Sequence, residues 1–357
     1  MDGGLPRDTS VRLHLAPLQS LLQDPDVTEI AINGPNLVFA EKSGIWTRCE
    51  LPGGFSAHAA HALGVAIARL SDQIWNEQYP LLSASTPALP IPNAASDEMA
   101  SDVASRELRF QLVGPPAVAP EHYSVTIRKP ALVERSLGDF ARDGLFERVR
   151  ANDPSPLGND QRLLELLSRK RHQEFLREAV VSRKNIVVAG ATGSGKTTFM
   201  KALVREIPPS ERIITIEDVR ELTLPHPNKV HLLYSKGKQS GSDVTAKDLL
   251  EACLRMKPDR ILLAEVRGDE CLYYVRNAAS GHPGSITSVH AGSPALALEQ
   301  MAIMIKDSPG GAHLDFSVIQ RLLVLTVDVI VQFEVQNGKR FMSEIYFAPE
   351  RKHAAPA

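Results

Sequence analysis

The sequence predicts an α/β protein in two parts: a smaller α+β N-terminal unit, then a unit built on a parallel sheet with helices on both faces. Three observations carry this expectation. After Lys184 short apolar runs alternate with helix-compatible stretches, which is the rhythm of buried parallel strands. Before it, loosely alternating segments and an Ala/Leu-rich helical stretch give a mixed pattern. The 357 residues also exceed one domain of ordinary size.

Taken in order, Leu13 to Leu22 has helical apolar spacing and ends at Gln23-Asp24-Pro25-Asp26. Val27 to Phe39 reads as strand, turn and strand around Asn33-Gly34-Pro35. Ala57 to Ser71 is a helix, and Arg106 to Val113 and Tyr123 to Lys129 are strands. Between them, Ser83 to Ser105 is rich in Ala, Ser and Pro without hydrophobic period, and reads as a mobile surface loop. Pro130 and Leu132 to Ser136 begin an interdomain connection, followed by a helix over Leu137 to Val149 and a loop at residues 152–156. Gln161 to Ser182 is helical, and its basic run Arg169-Lys170-Arg171-His172 reads as a solvated face. Strands follow at Ile186–Ala189, Arg212–Ile216, Ile261–Ala264 and Ser285–Val289. Asp328 to Glu334 and Arg340 to Phe347 then flank Asn337-Gly338, a hairpin signal.

Composition narrows the function. Hydrophobic residues at 43% and charged residues at 23% exclude collagen and wholesale disorder. Forty basic against 42 acidic residues weigh against duplex nucleic acid as the main partner, since phosphate neutralisation demands a basic excess. Cys49, Cys253 and Cys271 have no disulfide or zinc-ligand spacing. No apolar run reaches the length of a membrane span; Leu322 to Val331 comes nearest and contains Thr326 and Asp328. The start is polar, without a basic segment leading into an apolar one, so a cytoplasmic location is expected.

The sharpest signal is Gly190-Ala191-Thr192-Gly193-Ser194-Gly195-Lys196-Thr197, placed directly after a buried strand and before the helical Thr198-Phe199-Met200-Lys201. Chance produces this pattern in a chain of such length on the order of 1% of the time. Glycines let backbone amides turn inward on phosphates, and the helix N-terminus adds positive potential. Lys196 then reaches the β- and γ-phosphates of ATP, and Thr197 ligates Mg²⁺.

Three strand ends supply candidate partners. Ile261 to Ala264 leads into Glu265, which could position or deprotonate water and reach Mg²⁺, or could be a plain surface acid. Ile213 to Ile216 leads into Glu217-Asp218, a pair that either orients metal-bound water or caps a helix. Ser285 to Val289 leads into His290, a γ-phosphate sensor or a structural histidine.

Four segments in this order resemble the type II/type IV secretion NTPases, and among them the VirB-eleven-type ATPases of type IV secretion. They are GATGSGKTT at 190–198, ITIEDVREL at 214–222, RMKPDRILLAEVRG at 255–268 and ASGHPGSITSVHAG at 279–292. The front half is similar too, through LAPLQSLLQDPDVTEIAINGP at 15–35, PLLSA at 80–84, RFQLVGPPA at 109–117 and YSVTIRKP at 123–130. Two departures stand out: the 83–105 segment is longer than its family counterpart, and Ala264 precedes Glu265 where many P-loop proteins carry an acid.

The resemblance implies a RecA-like P-loop ATPase domain at 161–357, a linker region at 131–160 and an α+β domain at 1–130. It also implies catalytic roles for Lys196, Glu217, Glu265 and His290. Glu217 and Glu265 would join Thr197 at the metal, and Arg109 and Arg128 would reach nucleotide phosphates. Residues 190–198 would bind ATP with Mg²⁺. Alone, Arg109 and Arg128 read as exposed strand arginines. The family further implies a homohexamer on the cytoplasmic face of a bacterial inner membrane. Its expected contacts are secretion-channel components, other secretion ATPases among them, and lipid head groups peripherally. Its N-terminal domains would swing as rigid bodies to drive pilus assembly or substrate transfer. A type II secretion or pilus motor is the sibling alternative, disfavoured by the absence of a four-cysteine zinc module. A nucleic-acid-stimulated motor and a non-catalytic docking protein are the more distant ones.

Overall fold

Pro17 lacks the amide that a continuous helix needs, so the first helical stretch breaks. It forms α1 (Thr9–Leu15), a 3-10 turn (Ala16–Leu18) and α2 (Gln19–Gln23). The computed structural model describes residues 6–87, 107–130, 136–147, 149, 158–235 and 242–353. β1 (Val27–Ile32) and β2 (Val38–Lys42) match the expected strand pair. β3 (Ile45–Cys49) adds a third strand that its mostly exposed side chains did not announce. α3 (Ala57–Leu70) starts where the Ala59 amide donates to Ser56 Oγ. β4 (Leu81–Ser85), β5 (Arg109–Val113) and β6 (Ser124–Arg128) complete an antiparallel sheet of order β3-β2-β1-β6-β5-β4.

The expectation of a mobile loop from Ser83 is corrected at its start. Ser83, Ala84 and Ser85 pair with Gln111, Phe110 and Arg109, because an edge strand is held by backbone bonds and needs no apolar period. Residues 88–105 of that segment lie outside the described residues.

Nearly half of the expected linker, the loop at 152–156 included, is likewise outside them. Within it α4 (Leu137–Arg142) opens with a Ser136/Asp139 capping box. It stops short of the expected Val149, and Gly144 takes a φ of +74° just beyond it. The single helix expected over Gln161 to Ser182 is two, α5 (Gly158–Ser168) and α6 (His172–Val181), with Lys170 at φ +57° between them. The basic run is exposed, as expected, but Arg169 and Lys170 form the turn between the helices and His172 opens α6.

The remaining strands are β7 (Ile186–Gly190), β8 (Ile213–Glu217), β9 (Lys229–Leu233), β10 (Arg260–Leu263), β11 (Ile286–Val289), β12 (Val329–Gln336) and β13 (Lys339–Phe347). The helices among them are α7 (Lys196–Val204), α8 (Ala246–Cys253), α9 (Glu270–Ala279), α10 (Pro294–Asp307) and α11 (Phe316–Thr326). β9, with its half-buried alternate residues, had not been anticipated. Two hydrogen-bonded groups form, β10-β8-β9 in parallel and β11-β7-β12-β13, in which only the final hairpin pair is antiparallel. They meet at a seam between β10 and β11. There Ser285 Oγ donates to Ile261 O at 2.7 Å and Ser288 Oγ to Ala264 O at 2.9 Å, in place of a regular ladder.

Alternation along β7 shows the two covered faces. Val187 and Ala189 enter a core with residues of α8 to α11, and Ile186 and Val188 enter another with residues of α5 to α7. The larger core also takes in Val113, Ala117 and Val118 of the N-terminal unit. Arg212, wholly buried, donates to Asn33 Oδ1 at 2.8 Å, Asn228 Oδ1 at 2.6 Å and Met256 O at 3.1 Å across the junction of the two units.

Candidate active site

The loop after β7 has a backbone that only glycine permits. Gly190 adopts φ +154°, and a Cβ there would stand 2.8 Å from Phe333 O of β12. Gly195, the N-cap of α7, adopts φ +100°. Lys196 is thereby turned back over the loop, donating to Gly190 O at 2.8 Å and Ala191 O at 3.0 Å. Ser194 Oγ is buried without a hydrogen-bond partner, a polar atom left for a ligand to satisfy.

A cavity of about 330 Å³ opens on this loop. It is lined by Thr192 to Thr198 and, from neighbouring strand ends, by Asp218, Glu221, Glu265, Arg267, Ser288, His290 and Arg340. A chain of polar contacts crosses it. Lys196 Nζ lies 3.4 Å from His290 Nδ1, and His290 Nε2 lies 2.6 Å from Glu265 Oε1. With the ammonium donating to Nδ1, the imidazole keeps its proton on Nε2 and lies against the carboxylate, but Glu265 Oε1 accepts no hydrogen bond and is left for a ligand or water. Glu265 Oε2 pairs closely with Arg267, whose Nη1 is 3.0 Å from Asp218 Oδ2. Burial holds the Lys196 ammonium below its ordinary value; Glu265 opposes that shift and Arg267 adds to it.

The structure thus brings together Lys196, Thr197, Thr198, Glu265 and His290. Gly190 and Ala191 serve through the carbonyls that hold Lys196. Glu217, expected at the phosphates and the metal, is placed differently from the other strand-end residues. It is 1% exposed and does not line the cavity. Its Oε1 accepts from the amides of Glu221 and Leu222 at 3.0 and 2.8 Å, and its Oε2 from Thr215 Oγ1 at 3.1 Å. Burial pushes this carboxyl up, but His231, the two amides and Thr215 together hold it below the usual carboxylate value. Asp218, one residue on, faces the cavity instead.

Arg109 and Arg128 are not brought to this loop either. They line a separate cavity of about 480 Å³ with Glu29, Arg255, Lys257 and His282. Sequence reading had singled out neither Arg267 nor Arg340 for the site. Arg267 sits two residues beyond Glu265, where a carboxylate partner could have been sought; Arg340 is 144 residues after Lys196 and belongs to no motif.

The donors around Thr197 are a hydroxyl and the carboxylates of Asp218 and Glu265, hard oxygen ligands of the kind Mg²⁺ takes beside phosphates.

A model of the family described as type II/IV secretion system protein matches residues 149–339. The type IV secretion system protein VirB11 of Brucella suis is 45% identical, covering 99% of this chain and 94% of that protein. VirB11 of Bartonella henselae is 41% identical, covering 94% of this chain and 92% of its own. The crystal structure of the VirB11 ATPase of the Brucella suis type IV secretion system, in complex with sulphate, superposes with a TM-score of 0.87. That pair is 44% identical, covering 97% of this chain and 100% of the other. On this combination of fold, loop and full-length likeness, the chain belongs to the VirB11 ATPases of type IV secretion systems, within the type II/IV secretion proteins.

Proposed function

We propose that this chain hydrolyses ATP with Mg²⁺ as a homohexamer on the cytoplasmic face of a bacterial inner membrane. There it powers pilus assembly and substrate transfer through a type IV secretion channel. The observation that carries the reading is the contact chain from Lys196 through His290 and Glu265 to Arg267 and Asp218, laid across a phosphate-binding loop. Phosphates entering the loop offer Lys196 a stronger acceptor than the carbonyls of Gly190 and Ala191. His290 is released from the ammonium, and Glu265 is left as the carboxylate able to orient water or accept its proton. Mg²⁺ would be held by Thr197 with Asp218 and Glu265, and would supply charge neutralisation at the phosphates.

Arg109 and Arg128 fit the same reading if they serve a neighbour. Their cavity is apart from their own loop, so in a ring their guanidiniums would meet phosphates held by an adjacent copy. Contacts with other channel ATPases and with lipid head groups belong to this proposal as peripheral ones, since no described helix is long and apolar enough to cross a membrane.

The test separates binding from chemistry. Lys196→Ala is expected to abolish phosphate release. Glu265→Gln is expected to bind ATP with turnover lowered by at least about a hundredfold, the size of a lost general base. Wild-type turnover in either variant would sink the assignment.

A further inference from the structure

Arg340 is an unassigned cation of the nucleotide cavity, and its placement follows from strand register. β12 runs parallel to β7, with Val329 opposite Ile186 and Phe333 opposite Gly190. β7 ends there, but β12 continues through Gln336, so the β12–β13 hairpin overhangs the phosphate loop. Arg340 lies on the returning strand, opposite Val335.

The base of the hairpin is fixed to the site. The Phe333 ring packs on Phe199 of α7 with centroids 5.0 Å apart, and Gln332 Nε2 donates to Ala291 O at 3.1 Å, beside His290. A one-residue bulge in the ladder between Gln332 and Phe333 falls at the same level, where it bends the overhanging tip. At the tip the Arg340 side chain lies along the loop, its Cδ 3.5 Å from where a Cβ of Gly195 would stand.

Charge makes this placement meaningful. Lys196 and Arg267, the other permanent cations of the cavity, are engaged by carbonyls and carboxylates respectively. Among the described residues no carboxylate pairs with Arg340, which is exposed and lines the cavity. A free guanidinium over a phosphate loop is suited to bidentate binding of phosphate oxygens.

We propose that Arg340 binds the phosphate chain of the nucleotide held by its own chain, as a second cation beside Lys196. The inference rests on the nucleotide-site reading above. It makes the C-terminal hairpin part of the binding site, so nucleotide occupancy and hairpin position are linked.

The experiment is an equilibrium titration of the full chain, in Mg²⁺, with two probes: the β,γ-imido analogue of ATP and inorganic tripolyphosphate. Arg340→Ala is expected to weaken both by roughly tenfold, the scale of one charge-assisted contact at a partly exposed site. Arg340→Lys should fall between wild type and Arg340→Ala, and Arg340→Glu should bind more weakly than either. That graded order follows charge and is not what a merely structural role gives. Lys339→Ala, next along the strand and outside the cavity lining, should bind like wild type. Unchanged affinity in Arg340→Ala overturns the inference, and so does a loss seen with the nucleotide but not with tripolyphosphate. Failure of the wild-type chain to bind either probe would instead remove the site reading itself.

Discussion

Glu29 of β1 is 4% exposed, and its Oε2 has no hydrogen-bond partner. Arg128 is 3.6 Å from its Oε1. Burial pushes its carboxyl up to about 7, with Glu41 adding to the rise and Lys257, Arg128 and Arg212 opposing it. A carboxyl whose folded-state value is raised contributes stability that is full below its unfolded value and is lost as pH rises through the folded one. Wild type should therefore lose stability relative to Glu29→Gln from about pH 5 to about pH 8, because the amide has no charge to desolvate. Urea midpoints of the two proteins across that range check this, and parallel curves would contradict it. The same scale explains what the acidic pair Glu217-Asp218 concealed. Sequence shows two adjacent acids at a strand end, but strand alternation sends one inward and one outward. Which one faces the phosphates depends on where β8 ends, and that was not written in the motif.

At the scale of elements, legibility followed the strength of local signals. The phosphate loop was readable because its chemistry needs particular residues at fixed spacing, and α3 because its period is clean. The Asn337-Gly338 hairpin was readable because both residues take positive φ, 52° and 73°. β3, β4 and β9 were missed because edge and half-exposed strands are held by neighbours and carry little pattern of their own. The break at Lys170 was missed because Arg169 to Arg171 continue a helix-compatible composition and only the backbone reveals the turn. α3 yields a prediction in which two effects compete. Ala is favoured over Gly in a helix by about 1 kcal/mol. Yet a Cβ at Gly64 would stand 1.7 Å from the Trp75 ring, which is 8% exposed and donates Nε1 to Pro80 O at 3.0 Å. Overpacking of this kind costs about 1–3 kcal/mol, so Gly64→Ala should be net destabilising. A urea midpoint equal to or above wild type would show that the ring yields freely.

At the scale of the whole molecule, the N-terminal and C-terminal units are joined by a shared core and by Arg212. Burial pushes that arginine down to about 10, so it stays protonated at neutral pH, held by neutral acceptors from both units and by the Trp46 ring 5.2 Å away. The junction also includes the ion pair of Lys257 with Glu41 at 2.6 Å. These contacts hold Arg109 and Arg128 away from the loop of their own chain, an arrangement the family resemblance alone did not reveal. Motif likeness is what draws attention to the two arginines; their separation from Lys196 is a property of how the units pack. On the proposed function, hydrolysis belongs to an assembly of copies. Phosphate release per protomer, measured against protein concentration with ATP and Mg²⁺, tests it most directly. The rate is expected to rise steeply as copies assemble, to ignore added single-stranded DNA, and to reach a lower plateau in Arg128→Ala. A per-protomer rate independent of concentration, with Arg128→Ala equal to wild type, would contradict it.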